Sequence, residues 1–213
     1  DYPKEKLEII VVNDGSKDRT AENVKEIIRD YPTCWVRLIE QENQGKAAAL
    51  NIAINQLKGE YFACLDADSM VHQKTLKKML TYFNQEEEKR KRLVEEKKVK
   101  KEKELAVVTP VMKVHHPKNF FQKMQWIEYL VAAYMGRLLS MIDTVYVAPG
   151  PFSLYKTEII KKVGGFDQET LTEDQEIGYR LQNQGYSLKQ CPEAWVDTIA
   201  PNNFHGLYRQ RLR

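Results

Sequence analysis

A single α/β domain built on a mainly parallel sheet is the fold class that this 213-residue sequence predicts. Three features carry the prediction. Short β-branched runs end in turn residues, helical stretches lie between them, and the two alternate regularly from residue 7 to residue 85. The length is enough to bury one sizeable hydrophobic core.

The elements follow in order. Residues 7–12 (LEIIVV) are mostly apolar and stop at Asn13-Asp14-Gly15-Ser16, as a buried parallel strand would. Residues 20–30 form a helix with Val24, Ile27 and Ile28 on one face. A second strand covers 35–39, an Ala-rich helix 45–57, and a third strand 61–65, which stops at Asp66-Ala67-Asp68. The next helix starts near Gln73 and buries Leu76, Met79, Leu80 and Phe83. From 86 to 104, 16 of 19 residues are charged, seven acidic and nine basic, with no apolar stripe. This run is expected outside the core, as a solvated helical extension or a disordered insertion, with contact to lipid headgroups as the sharper alternative. Strand character returns at 106–114 and 152–155. Residues 119–142 form a greasy helix, readable as core or acceptor-channel lining or as an interfacial helix. Residues 172–184 form a helix opened by Thr172-Glu173-Asp174, and the tail from about 203 reads as helical.

Composition narrows the function. A net charge of +3 is too small to argue for nucleic acid as a partner, though it suits an anionic ligand or membrane surface. Cys34, Cys64 and Cys191 have no metal or disulfide spacing and read as reduced residues of a cytosolic protein. There is no signal peptide and no apolar run long enough to cross a bilayer. The opening Asp1-Tyr2-Pro3 and the tail ending within a helix lead us to expect a piece of a longer protein.

Three acidic sites carry the chemistry. Asp66 and Asp68 follow a strand, where ligands of parallel sheets bind, and two carboxylates on a tight turn can hold a hard divalent cation against a diphosphate. The blander alternative is a turn that caps the next helix. Asp14 ends the first strand and could accept a hydrogen bond from a base or a ribose, or simply form an Asx turn. Thr172-Glu173-Asp174 could be an ordinary helix start, or could supply a proton acceptor. His72, His205 and the pair His115-His116 read as surface residues.

Together, Ile9-Ile-Val-Val-Asn-Asp-Gly-Ser16, Asn43-Gln-Gly-Lys-Ala-Ala-Ala-Leu-Asn51, Leu65-Asp-Ala-Asp68, Gly164-Gly-Phe-Asp167, Leu171-Thr-Glu-Asp174 and Gln210-Arg-Leu-Arg213 resemble the membrane-associated family-2 glycosyltransferases. These include the poly-N-acetylglucosamine, hyaluronan, chitin and cellulose synthases, and the likeness is greatest to the poly-N-acetylglucosamine type. The resemblance implies a GT-A fold, a mixed and mainly parallel sheet flanked by helices. Its first strand would precede Asp1, and a signature Trp would follow Arg213.

The resemblance also implies roles. Asp14 would contact the nucleotide, Lys46 the base or diphosphate, Asp66 the ribose side or sugar, and Asp68 a Mg²⁺ or Mn²⁺ ion together with Asp66. Gln210, Arg211 and Arg213 would close over the diphosphate. Asp174 would be the catalytic base, with Glu173 able to substitute for it, and Gly150 and Thr172 would border the acceptor. The implied donor is UDP-GlcNAc or UDP-glucose and the acceptor a growing polysaccharide. The implied location is the cytoplasmic face of a membrane, with transmembrane helices outside this chain. Transfer to a polyprenyl phosphate or other lipid acceptor is the alternative within enzymes, and the Gln210-Arg211-Leu212-Arg213 tail favours the processive group over it. A degenerate carbohydrate- or nucleotide-binding module is the alternative outside enzymes, and the intact carboxylates oppose it.

Overall fold

The computed structural model describes residues 2–33, 35–96 and 103–212. In chain order the elements begin with β1 (Glu8–Asp14), α1 (Thr20–Asp30), β2 (Trp35–Gln41), α2 (Lys46–Gln56), β3 (Tyr61–Ala63), β4 (Ser69–Val71) and α3 (Thr75–Glu95). They continue with β5 (Glu104–Val114), α4 (Phe120–Met141), β6 (Leu154–Lys156), α5 (Thr157–Lys162), α6 (Glu173–Asn183), β7 (Tyr186–Thr198) and α7 (Phe204–Arg211). Where the sequence predicts one domain, the contacts divide the chain into two compact units. One is Asp1–Phe62 with Lys156–Glu173, the other Ala63–Tyr155 with Asp174–Arg213.

The first unit contains the βαβ motif read from the sequence. β1 and β2 pair in parallel from Glu8 opposite Trp35 to Asp14 opposite Gln41, with α1 crossing between them. The prediction of a buried strand at 7–12 is corrected. Asn13 is the buried residue of β1, and Ile9 is 46% exposed. A two-stranded sheet covers neither of its faces as fully as a larger one. From α2, Asn51 clamps the Gly164-Gly165-Phe166 turn: its Nδ2 donates to the Phe166 carbonyl at 2.7 Å and its Oδ1 accepts from the Phe166 amide at 2.8 Å. Gly165 has φ +77°, and a Cβ there would run into the Asn51 side chain, so this turn requires glycine.

The second unit is built on a mixed sheet in which β6, β5, β7 and β4 lie side by side in that order. Its central pair, β5 and β7, is parallel, and β6 and β4 add antiparallel partners on either side. Leu105, Ala106, Val107 and Val108 of β5 are fully buried, with Met79 and Phe83 of α3 against the sheet. β7 is absent from the sequence prediction. Lys189, Gln190 and Pro192 interrupt its pattern, and the register jumps from Gln190 opposite Thr109 to Trp195 opposite Val111, so Pro192 falls in a bulge.

The first half of the charged run continues α3 to Glu95, a helical extension, and departs from expectation at Arg90, which is buried rather than solvated. Arg90 donates to the Lys103 carbonyl and to Asp143 Oδ1 (2.9 Å), and Lys189 of β7 reaches the same Oδ1 at 2.8 Å. One carboxylate therefore holds two buried cations, which is what lets a run without an apolar stripe contribute to the core. The middle of the run, 97–102, lies outside the described residues. Burial pushes the Asp143 carboxyl up, but the Lys189 hydrogen bond and the Arg90 charge outweigh it and leave the group below its usual range.

Asp143→Asn should lower stability by about 1–2 kcal/mol, less than for a fully buried pair because Asp143 is partly exposed. Because the folded pKa is depressed, the contribution is complete above the ordinary carboxylate pKa and is lost as pH falls through the folded value. Urea titrations at pH 7 and pH 3 should therefore show a gap between parent and variant that closes in acid. A gap unchanged at pH 3 would remove Asp143 from this role.

Candidate active site

The candidate residues divide between the two units. In the first, Asn13-Asp14-Gly15-Ser16 forms the turn expected at the end of β1. Asn13 Oδ1 accepts from the Ser16 amide at 3.0 Å, and Gly15 (φ +73°) lies so close to Asn43 that a Cβ would stand 2.9 Å from its amide nitrogen. Asp14 is engaged within the protein. Its carboxylate accepts from Gln41 Nε2 (2.7 Å) and from the amides of Gln44 (2.9 Å) and Gly45 (2.9 Å). The Gln44 amide foremost, with Gln41 and Gly45, holds the Asp14 carboxyl below its ordinary value against a smaller opposing effect of burial. It thereby shapes the loop that leads into α2 and to Lys46.

Lys46, at the first turn of α2, places its Nζ 2.9 Å from Glu173 Oε1. That carboxylate is largely buried, while Lys46 is about half exposed. The sequence reading assigned Lys46 to the nucleotide and Glu173 to catalysis without pairing them. Thr172 is exposed.

In the second unit the Asp66-Ala67-Asp68 turn follows β3. The Asp66 carbonyl accepts from the Ser69 amide at 3.0 Å, and the exposed Asp68 carboxylate accepts from Ser69 Oγ at 3.3 Å. One loop links this turn to Asp174. The Phe152 amide donates to the carbonyl of Cys64, two residues before Asp66, and the Ala148 amide donates to the carbonyl of Asp174 at 3.1 Å. Gly150 lies between these two anchors. The loop is further fixed by the Tyr155 hydroxyl on the Ala148 carbonyl (3.3 Å), Ser153 Oγ on the Pro149 carbonyl (2.6 Å) and Gln182 Nε2 on the Val145 carbonyl (2.7 Å). Phe152 itself is held at φ +63°, an uncommon conformation for a bulky residue.

The helix α4 contributes residues that the sequence reading missed. Gln125 is buried, and its Nε2 donates to Gln210 Oε1 at 3.0 Å and to the Tyr129 hydroxyl at 3.2 Å. Glu128 pairs with Arg211. Burial raises the Tyr129 phenol; the Gln125 hydrogen bond and the Arg211 charge oppose this, while Glu128 and Asp68 add to it. Polar residues recurring at helical spacing within an otherwise apolar stretch were the available signal. Arg213 lies outside the described residues. His115 stands 3.5 Å from Asp197 and stacks edge-on with His116. Among the described residues no group of three or more His, Cys, Asp or Glu could hold a metal ion. No helix among them is long and apolar enough to cross a membrane.

The family model and the curated relatives agree on one family. The model of the family described as "Glycosyltransferase like family 2" matches residues 1–213. Poly-beta-1,6-N-acetyl-D-glucosamine synthase of Staphylococcus aureus (strain COL) is 34% identical over 212 residues, covering 98% of this chain and 47% of that protein. The chain therefore spans about half the length of the curated relatives it matches. Among solved structures, the mannosyltransferase PcManGT from Pyrobaculum calidifontis in complex with GDP-Man and Mn²⁺ superposes with a TM-score of 0.72 at 23% identity, over 100% of this chain and 53% of that one. S. aureus TarS 1-349 in complex with UDP-GlcNAc gives 0.62 at 20% identity, over 97% and 53%. At these identities the likeness establishes the α/β fold of the nucleotide-sugar transferases.

The hydrogen bonds at Asp14 make a direct prediction. Asp14→Ala should speed amide hydrogen exchange at Gln44 and Gly45 by about tenfold, the loss of roughly one net hydrogen bond each. Unchanged protection at both amides would show that the carboxylate does not hold this loop.

Proposed function

Since the chain belongs to the family-2 glycosyltransferases, we propose that it is the catalytic domain of an inverting polysaccharide synthase. It would transfer N-acetylglucosamine from UDP-GlcNAc to the end of a growing glycan. The sugar is taken from the poly-N-acetylglucosamine synthase relatives, with which the likeness runs through nearly the whole chain. The observation that carries the reading is the loop bearing Gly150, because it ties the backbone at Asp174 and the strand end before Asp66 to one another.

The Asp66-Asp68 turn fits a divalent cation. It offers two hard oxygen donors, and among the described residues no third His, Cys, Asp or Glu joins them, a set that would suit Mg²⁺ or Mn²⁺. The PcManGT complex with Mn²⁺ supports a divalent ion without choosing between the two. When bound, the ion would supply positive charge against the departing diphosphate.

The chain's own residues do the rest. Arg211, set by Glu128, and Gln210, set by Gln125, would meet the diphosphate as its negative charge grows. Asp14 would organise the loop that serves the nucleotide, and Lys46 would be held ready for it by Glu173. Asp174 would accept the proton of the acceptor hydroxyl as that oxygen attacks the anomeric carbon from the face opposite the nucleotide. A single displacement of this kind inverts the anomeric centre. The membrane-anchored location and the glycan acceptor belong to this same reading.

Two substitutions separate these roles. Asp68→Asn should weaken donor binding and lower turnover together. Asp174→Asn should leave donor binding within about twofold and lower the single-turnover rate by roughly 10²–10⁴. Titration calorimetry with UDP-GlcNAc and Mn²⁺, with and without chelator, provides the binding arm. Loss of donor binding in Asp174→Asn with normal turnover per bound donor would overturn the base assignment. Tight binding that survives chelation would overturn the metal assignment.

A further inference from the structure

The helix α2 begins on a cation. Lys46 is its first residue, its first turn holds no acidic residue, and Gly45 before it (φ +90°) has no side chain to cap the helix. The helix dipole opposes a positive charge at this end. Glu173 answers that charge from elsewhere in the first unit, with its Oε1 2.9 Å from the Lys46 Nζ. The two partners are unequally held. The Glu173 side chain is 15% exposed and opens α6, where the dipole favours a carboxylate whether or not Lys46 is paired with it. The Lys46 side chain is 46% exposed, so a ligand can reach the ammonium while the pair stands.

An ion pair with one partner this exposed is weak, favouring the closed arrangement by no more than about fivefold. An ammonium bonds most strongly to oxygens that carry charge. A diphosphate presents several of them, with more than one negative charge, against the single carboxylate of Glu173. The pair is therefore of a kind that a diphosphate can open. A contact that must break on binding lowers the apparent affinity by its own strength, because only the open fraction of the protein is ready for the ligand.

We propose that Glu173 holds Lys46 in competition with the diphosphate of the donor, so that the ion pair opens when a nucleoside diphosphate binds and closes again when it leaves. The inference rests on the reading of Lys46 as a nucleotide contact and deepens it. Glu173 is then a positioning residue for Lys46 and needs no proton-transfer role of its own. It keeps the cation from turning to solvent while the site is empty. Its recapture of Lys46 favours release of the nucleoside diphosphate product.

Titration calorimetry with UDP and Mg²⁺ tests the exchange. Glu173→Gln keeps the shape of the side chain and removes its charge, and it should bind UDP about threefold to fivefold more tightly than the parent. Lys46→Gln should bind it about tenfold more weakly. The gain from Glu173→Gln should vanish when Lys46→Gln is also present, because no ammonium is then left to release. A second arm needs no change at residue 173. In protein labelled with ¹³C-lysine, the Lys46 Cε signal, assigned by its loss in Lys46→Gln, should shift as UDP saturates the protein. If the parent does not bind UDP, or Lys46→Gln binds it as tightly as the parent, the nucleotide reading of Lys46 fails and the exchange fails with it. If Lys46→Gln weakens binding but Glu173→Gln does not tighten it, the exchange alone is overturned and Glu173 is a structural anchor. A gain that persists in the double variant also overturns the exchange, since it reports general charge repulsion, and so does a Lys46 signal that UDP leaves in place.

Discussion

Two backbone hydrogen bonds fix the arrangement of the candidate residues within the second unit. The Phe152 amide reaches the carbonyl of Cys64, and the Ala148 amide reaches the carbonyl of Asp174. The strand end that presents Asp66 and Asp68 and the helix start that presents Asp174 are far apart in sequence, and neither fixes the other. The intervening loop does so by donating from its own amides at both ends. Side-chain bonds from Ser153, Tyr155 and Gln182 stiffen it between and beside those anchors. The uncommon backbone conformation of Phe152 is tolerated because the strand it enters, β6, is paired to β5.

The same economy appears in the first unit. Asp14 uses both carboxylate oxygens on the loop before α2, and that loop in turn sets the start of the helix bearing Lys46. Glu173 then holds the Lys46 ammonium. Charged residues that a motif reading treats as ligand contacts are here bound first to one another. An ion pair of this kind keeps a cation placed.

The helix α4 joins these themes. Its inward polar face holds the Gln210-Arg211 segment and the buried end of β7, and its outward apolar face is left without cover in the chain as described. Inward, the amides of glutamine satisfy buried polar partners that leucine would leave orphaned. The distribution therefore follows from what lies beneath the helix as much as from what lies above it.

The sequence alone determined the elements whose signals are local. The parallel β1-α1-β2 unit, the helix 20–30, the Asn13-Asp14-Gly15-Ser16 turn and the helix begun at Glu173 all follow from periodicity and turn chemistry within a dozen residues. The motif order was enough to reach the family. Tertiary structure decided whatever depended on a distant partner. β7 is hidden in sequence because Lys189 and Gln190 look like loop residues until Asp143 and Ser140 receive them. Arg90 looks like part of a solvated run until the same Asp143 draws it inward. The periodicity of α4 located its stripe but not the direction it faces, because direction depends on which side meets hydrogen-bonding partners from elsewhere in the chain. Local pattern fixes the kind of element, whereas the pairing of buried polar groups, set by residues distant in the sequence, fixes its orientation.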